Sequence, residues 1–190
     1  TEDAARQMAP HLGASTLLMS LQNGVGNAET LARLLPCRVI PAVVYVAVAL
    51  GGPGRVCHFG RGDLAIGALP GGTLSSVPEW PTLQALVDLF AGAQVPVRIV
   101  PDVAVELWAK LLVNCAYNAI SALAQMPYAR LAAQADIRAL QHNIVREVVA
   151  VAAASGVTLP VDASLDAVSR IAVGMPQQLS STAQDMARRK

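Results

Sequence analysis

The segment from Val103 to Leu123 leaves this chain few options. It is almost wholly Val, Leu, Ala, Trp, Ile and residues like them, and its polar exceptions return at every fourth position: Glu106, Lys110, Asn114 and Asn118. At 3.6 residues per helical turn, that spacing puts all four on one face, drifting by about 40° per step. Ser121 falls in the same sector. A surface helix ordinarily carries many charges on its outer face, whereas this stripe has one cation, one anion and two amides. Asparagine is also a mediocre helix former, because its amide competes for nearby backbone groups. One reading is a ridge lining a cleft for a small polar molecule. The other is a solvent-facing Glu106–Lys110 pair worth about 0.2–0.5 kcal/mol, with the asparagines as core amides bonded to loop carbonyls. The stripe by itself leaves both open.

The character of the chain changes at Pro101. Before it, short apolar runs alternate with glycine- and proline-rich turns. Residues 2 to 9 read as the tail of a helix stopped by Pro10 and Gly13, and Thr16 to Leu21 as a buried strand that breaks at Gln22-Asn23-Gly24. Asn27 is the expected N-cap of a helix through Leu35. Arg38 to Leu50, rich in valine, predicts one or two strands, and Arg55–Phe59 with Leu64–Leu69 predicts a hairpin. A helix over Pro81–Gly92 and a strand over Val95–Val100 complete this part. From Asp102 onward the periodicity is helical throughout. Asp102 caps the polar-striped helix, Gln134–Ala154 forms a second long helix closed by Ser155-Gly156, and Pro160-Val161-Asp162 starts another. Pro176 interrupts before a last helical stretch. The expected fold is thus α/β plus all-α, with an α/β part over residues 1–101 and a helical part over 102–190.

Composition excludes several classes of function. The chain has 190 residues, of which 54% are hydrophobic and 14% charged, so disorder is not expected. A formal net charge of +1 gives no nucleic-acid footprint; the basic end Arg188-Arg189-Lys190 reads as a solvated helix terminus. The longest uncharged apolar run, Val39 to Leu50, contains Pro41 and falls short of the roughly 20 residues that span a bilayer. No secretory signal opens the sequence, since Glu2, Asp3 and Arg6 lie in its first segment. Cys37, Cys57 and Cys115 lack metal-like spacing and read as reduced, buried thiols, which predicts a soluble, cytoplasmic protein without a metal. His11, His58 and His142 share no spacing that suggests a metal site or a triad.

Two places imitate a dinucleotide fingerprint. Gly60-Arg61-Gly62-Asp63-Leu64-Ala65 fits GxGxx(G/A) by letters, but a strand follows where a helix N-terminus is needed, so it is read as a hairpin turn. Gly24-Val25-Gly26 lies between a strand and a helix, yet Glu29 would aim a carboxylate at the phosphates. It is read as a ligand-facing turn rather than the pyrophosphate loop, with Asn23 either offered to a ligand or serving the turn. Ser180-Ser181 followed by Gln184-Asp185 is either a helix cap worth about 1 kcal/mol or a hydroxyl presented to a carboxylate.

Four segments together resemble ketopantoate reductase (2-dehydropantoate 2-reductase): Leu21 to Asn27, Gly54 to Gly60, Glu106 to Asn114 continuing to Asn118, and Ser180-Ser181 through Gln184-Asp185. Their order and separations agree along essentially the whole chain. The resemblance implies a Rossmann-like NADP-binding domain, of which residues 1–101 are the remainder, followed by a helical domain like the C-terminal domain of 6-phosphogluconate dehydrogenase. It implies NADPH-dependent reduction of a 2-keto acid, ketopantoate, to pantoate on the route to pantothenate and coenzyme A, at a site between the domains. Carried over by position, Lys110 would be the general acid. Asn114 and Asn118 would hold the substrate's oxygens, Ser181 would meet its carboxylate, and Asn23 and Ala47 would contact the cofactor. A homodimer is the expected assembly.

Three family features lie outside these residues: the glycine-rich pyrophosphate loop, a cofactor lysine expected before Thr1, and an active-site glutamate expected after Lys190. Thr182 stands where the family usually has methionine. The expectation is an internal piece of a longer enzyme, by itself inactive and poor at binding NADPH. A reductase of another 2-keto acid and a non-catalytic module that keeps the fold are the alternatives.

Overall fold

The computed structural model describes residues 1–68 and 80–189, and the chain divides into two compact units, Thr1–Leu107 and Trp108–Lys190. The first unit is built on a four-stranded sheet in the order β1-β2-β3-β4, with β1 at Leu17–Ser20, β2 at Arg38–Gly52, β3 at Arg55–Ile66 and β4 at Val97–Ile99. β1 runs parallel to the start of β2, with Leu17 opposite Arg38. A parallel pair needs a crossover, which α2 (Asn27–Leu34) supplies. β2 and β3 are antiparallel, and β4 returns parallel to the end of β3.

Strand alternation decides which residue faces which layer. Val39 packs with Ala5 of α1 (Glu2–Met8) and with Ala28 and Leu31 of α2. Its neighbour Ile40 packs on the other face with Leu83 of α3 (Trp80–Gly92). Val39 through Val43 are all buried because helices cover both faces there, which is why this stretch reads as a continuous apolar run. Val43 and Ala65 meet Val100, Val103 and Leu107. The long helix α4 (Val103–Ala124) therefore begins inside the core of the first unit, and the division between units falls within it, after Leu107.

Three local expectations need correction. The hairpin turn is not at Gly60-Arg61-Gly62: β3 is one strand from Arg55 to Ile66, and the reversal lies between Gly52 and Arg55. Register shifts after Tyr45 and after Ala47 make the glycine segment a pair of bulges instead. Gly60, Arg61 and Gly62 all have positive φ (143°, 57° and 142°), so the extra residues are absorbed without ending the strand. The part of the second predicted run at Leu69 lies outside the described residues. Asn27 does not cap α2 either. Gly26 is the cap, in left-handed conformation at φ 80°, and the Asn27 amide Nδ2 donates back to the Asn23 carbonyl at 3.0 Å. Finally, the thiols are not all buried: Cys37 is, whereas Cys57 and Cys115 are partly exposed.

The second unit is helical, with no strand among its described residues. The rest of α4 is followed by α5 (Tyr128–Ala132), α6 (Ala135–Ala154), α7 (Val161–Gly174) and α8 (Ser181–Ala187). The short α5 was not foreseen from the sequence; α6 and α7 start and stop close to where capping chemistry puts them. Polar groups here are matched one by one. Buried Gln141 on α6 donates to the Ala116 carbonyl at 3.1 Å, and the Tyr117 hydroxyl donates to the Val168 carbonyl at 2.9 Å. The rings of Tyr117 and Tyr128 meet in a tilted arrangement, 4.5 Å between centroids and 47° between planes. By length and composition α4 is long enough to cross a membrane. It buries Val103 and Leu107 in one core and Leu112, Ala116 and Tyr117 elsewhere along its length.

Ser180 is wholly buried and caps α8: its hydroxyl accepts from the Ala183 amide at 3.0 Å and donates to the Asn118 carbonyl at 3.3 Å. Ser181, next to it, is exposed. Ser180→Ala is therefore expected to lower unfolding free energy by about 1–3 kcal/mol, and Ser181→Ala by less than about 0.5 kcal/mol; denaturant titration measures both. The tyrosines set an alkaline limit. Burial pushes the Tyr128 phenol up to about 12 and raises Tyr117, and burial with the neighbouring Glu106 raises Tyr45. Their stabilisation is complete below the unfolded value of about 10 and is lost as pH rises through the folded values. Stability measured by denaturation should hold to pH ~10 and then fall, with tyrosinate absorbance appearing as the chain unfolds.

Candidate functional site

α4 starts at an aspartate that does what its chemistry predicts. Asp102 Oδ1 accepts from the amides of Ala104 at 2.9 Å and Val105 at 3.3 Å, satisfying two otherwise unpaired donors of the first turn. One turn on, Glu106 is drawn to the sheet. Arg98 on β4 donates to both its oxygens, at 3.0 and 2.9 Å, and the Tyr45 hydroxyl on β2 donates to Oε2 at 2.5 Å. Arg61, from the bulged segment, lies over the Tyr45 ring at 4.0 Å and is held in turn by two bonds to Asp63, at 2.9 and 2.8 Å. The Arg98 guanidinium keeps the Glu106 carboxyl below the ordinary carboxylate range, although partial burial opposes it. The same arrangement with Arg61 lowers Asp63. Glu106 thus follows neither reading of the stripe. Its oxygens belong to an arginine and a tyrosine that lie 8 and 61 residues away in sequence.

Beyond Glu106 the stripe continues along the second unit. Lys110, Asn114 and Asn118 are each partly buried. Lys110 and Asn118 are separated by about 12 Å of helix at 1.5 Å per residue. The stripe ends at Ser121, which is structural: fully buried, its hydroxyl donates to the Met126 carbonyl at 3.0 Å and accepts from the Ser180 amide at 3.2 Å. The two bonds from Ser180, to the Ser121 hydroxyl and to the Asn118 carbonyl, dock the start of α8 on α4. They bring exposed Ser181 to the Asn118 end of the ridge. Lys110, Asn114, Asn118 and Ser181 therefore share one unit.

Asn23 and Ala47 belong to the other unit. Asn23 is exposed on the turn after β1, and the positive φ of that turn resides in Gly24 and Gly26 rather than in the asparagine. Ser20, Gln22, Gly24, Gly26, Pro41 and Ala42 line a small hollow there. A Cβ built on Gly26 would meet nothing within 4 Å, so a ligand has open access to backbone. Glu29, which also lines the hollow from the first turn of α2, disfavours a phosphate at this place. Ala47 is not part of that hollow. It pairs with Gly60, about 16 Å of extended strand beyond Ala42. No cluster of metal-ligating side chains occurs among the described residues.

Comparisons with known proteins match both parts of the chain. Residues 1–71 match the family description "Ketopantoate reductase PanE/ApbA", and residues 102–190 match "Ketopantoate reductase PanE/ApbA C terminal". A 2-dehydropantoate 2-reductase of Mesorhizobium japonicum is 34% identical over 179 residues, covering 83% of this chain and 53% of that protein. The crystal structure of a PanE/ApbA family ketopantoate reductase from Ralstonia eutropha JMP134 superposes with a TM-score of 0.85 at 48% identity, covering 100% of this chain and 59% of that one. D-mandelate dehydrogenase in complex with NADH gives a TM-score of 0.87 at 19% identity over 98% of this chain and 62% of that one, a likeness of fold alone. The chain thus spans between about half and three-fifths of the length of these proteins. With a Rossmann-like α/β unit and a helical unit each matched in order by the two halves of one family description, the chain belongs to the ketopantoate reductase family.

Proposed function

We propose that the full-length protein is a soluble, cytoplasmic NADPH-dependent reductase that converts 2-dehydropantoate to pantoate for pantothenate and coenzyme A synthesis. Its two domains are proposed to correspond to residues 1–101 and 102–190. The observation that carries this reading is the ridge on α4: Lys110, partly buried and followed at four and eight residues by two amides, in the segment that matches the family's C-terminal half. A nicotinamide cofactor, when bound, supplies a hydride to the substrate's carbonyl carbon. Negative charge then builds on the carbonyl oxygen, where the Lys110 ammonium stabilises it and gives up the proton that completes the alcohol. Asn114 and Asn118 hydrogen-bond the substrate's oxygens without adding competing charge. Ser181, free of the capping duty that occupies Ser180, receives the substrate carboxylate. Asn23 and the backbone at Ala47 contact the cofactor.

A reductase of a different 2-keto acid is the second reading, since the fold is shared with D-mandelate dehydrogenase; turnover across a panel of 2-keto acids separates the two. In the full-length enzyme, Lys110→Ala should cut turnover by about 10²–10⁴-fold while NADPH still binds, as followed by steady-state NADPH oxidation and by calorimetry. Unchanged turnover would refute the general-acid role. The 190-residue chain alone, which holds no glycine-rich pyrophosphate loop, should bind NADPH weakly, and low-micromolar affinity would contradict that.

A further inference from the structure

Glu106 has no part in the chemistry just described, yet it is one of the most heavily bonded side chains in the first unit. Three hydrogen bonds reach its carboxylate from two different strands, two from Arg98 on β4 and one from Tyr45 on β2. A bidentate arginine fixes the plane of a carboxylate as well as its distance, and the tyrosine adds a second direction. The tyrosine is itself clamped, its ring lying under Arg61, which Asp63 holds in place. The network is partly open to water, with Arg98 47% and Glu106 26% exposed at the side chain, so its yield in stability is small. What it supplies is direction. The other anchors of the first turn of α4 are the Asp102 cap and Val103 and Leu107 in the apolar core.

On the reading of Lys110 as general acid, we propose that Glu106 is a positioning residue: anchored by Arg98 and Tyr45, it fixes the rotation of α4 about its axis and so the direction in which Lys110, one turn on, projects. Glu106 and Lys110 are four residues apart on one continuous helix, so a twist at the first is carried to the second. The lowered proton affinity of Glu106 fits this role, because a carboxylate that stays ionised keeps its arginine across the working pH range. It is not a proton relay.

The test uses the full-length holoenzyme. Glu106→Gln keeps the volume and removes the charge; it should lower kcat by roughly 10–100-fold, the scale of a small misplacement of a reacting group, with KM for NADPH unchanged and the thermal midpoint nearly so. Tyr45→Phe deletes one hydroxyl, leaves the ring under Arg61 and changes no charge. It should lower kcat less, and the double variant should lose less than the product of the single losses. A second readout does not depend on turnover. In the full-length enzyme, ¹³C-methylation of lysine amines gives NMR signals among which that of Lys110 is assigned by its loss in Lys110→Ala and that of Lys190 by its loss in Lys190→Arg. Tyr45→Phe should displace the Lys110 signal and leave that of Lys190 in place. Unchanged kcat in Glu106→Gln, or a parallel fall of kcat, affinity and thermal midpoint, would overturn the positioning role, as would an undisturbed Lys110 signal in Tyr45→Phe. If Lys110→Ala keeps full turnover, the general-acid reading falls instead, and the Lys110 signal still decides whether the network sets that side chain's direction.

Discussion

The carboxylate of Glu106, gripped by Arg98 and Tyr45, is where the long helix of this chain is tied to its sheet. Several otherwise unrelated features serve that contact. β2 is long enough to carry Tyr45 beyond the part of the sheet covered on both faces. β4, only three residues long, contributes Arg98 at its centre. The bulges around Gly60 and Gly62 turn Arg61 over the tyrosine ring, an arrangement that a regular strand would not give. Asp102 then starts the helix at a defined residue, and Val103 and Leu107 seat it in the apolar core. The result is a helix whose first turn belongs to the α/β unit and whose remaining turns carry Lys110, Asn114 and Asn118.

In the helical unit, several buried polar residues hold the fold. Ser121, Ser180, Gln141 and Tyr117 each spend their hydrogen-bonding capacity on a backbone group of another segment. Burial without partners would make them costly. Ser181 is exposed and Lys110, Asn114 and Asn118 only partly covered. The contrast between the two adjacent serines, Ser180 bonded into the fold and Ser181 exposed, supports assigning Ser181 to substrate and Ser180 to structure.

Much of this was legible in the sequence where the signal is local. The Asp102 cap and the ends of α6 and α7 all follow from interactions within a few residues. The family match was legible too, because it rests on short segments in a fixed order. What escaped depends on distant partners or on backbone freedom. The partners of Glu106 were not legible in the stripe because nothing local reveals that Tyr45, 61 residues earlier, would reach it. Gly60-Arg61-Gly62 looked like a turn because glycines that permit reversal also permit bulges, and only the register with β2 distinguishes the two. Asn27 looked like a cap because asparagine often is one, but Gly26 before it takes the left-handed conformation more cheaply. α5 is too short for periodicity to show.

The account turns on the Lys110 ammonium acting at the substrate's oxygen. The most direct measurement is a structure of the full-length enzyme with NADP⁺ and pantoate bound. The account predicts Lys110 Nζ within hydrogen-bonding distance, about 3 Å, of the hydroxyl oxygen on the carbon that receives hydride, with the amides of Asn114 and Asn118 on the substrate's other oxygens. Lys110 directed away from the substrate, with a different donor at that hydroxyl, would contradict it.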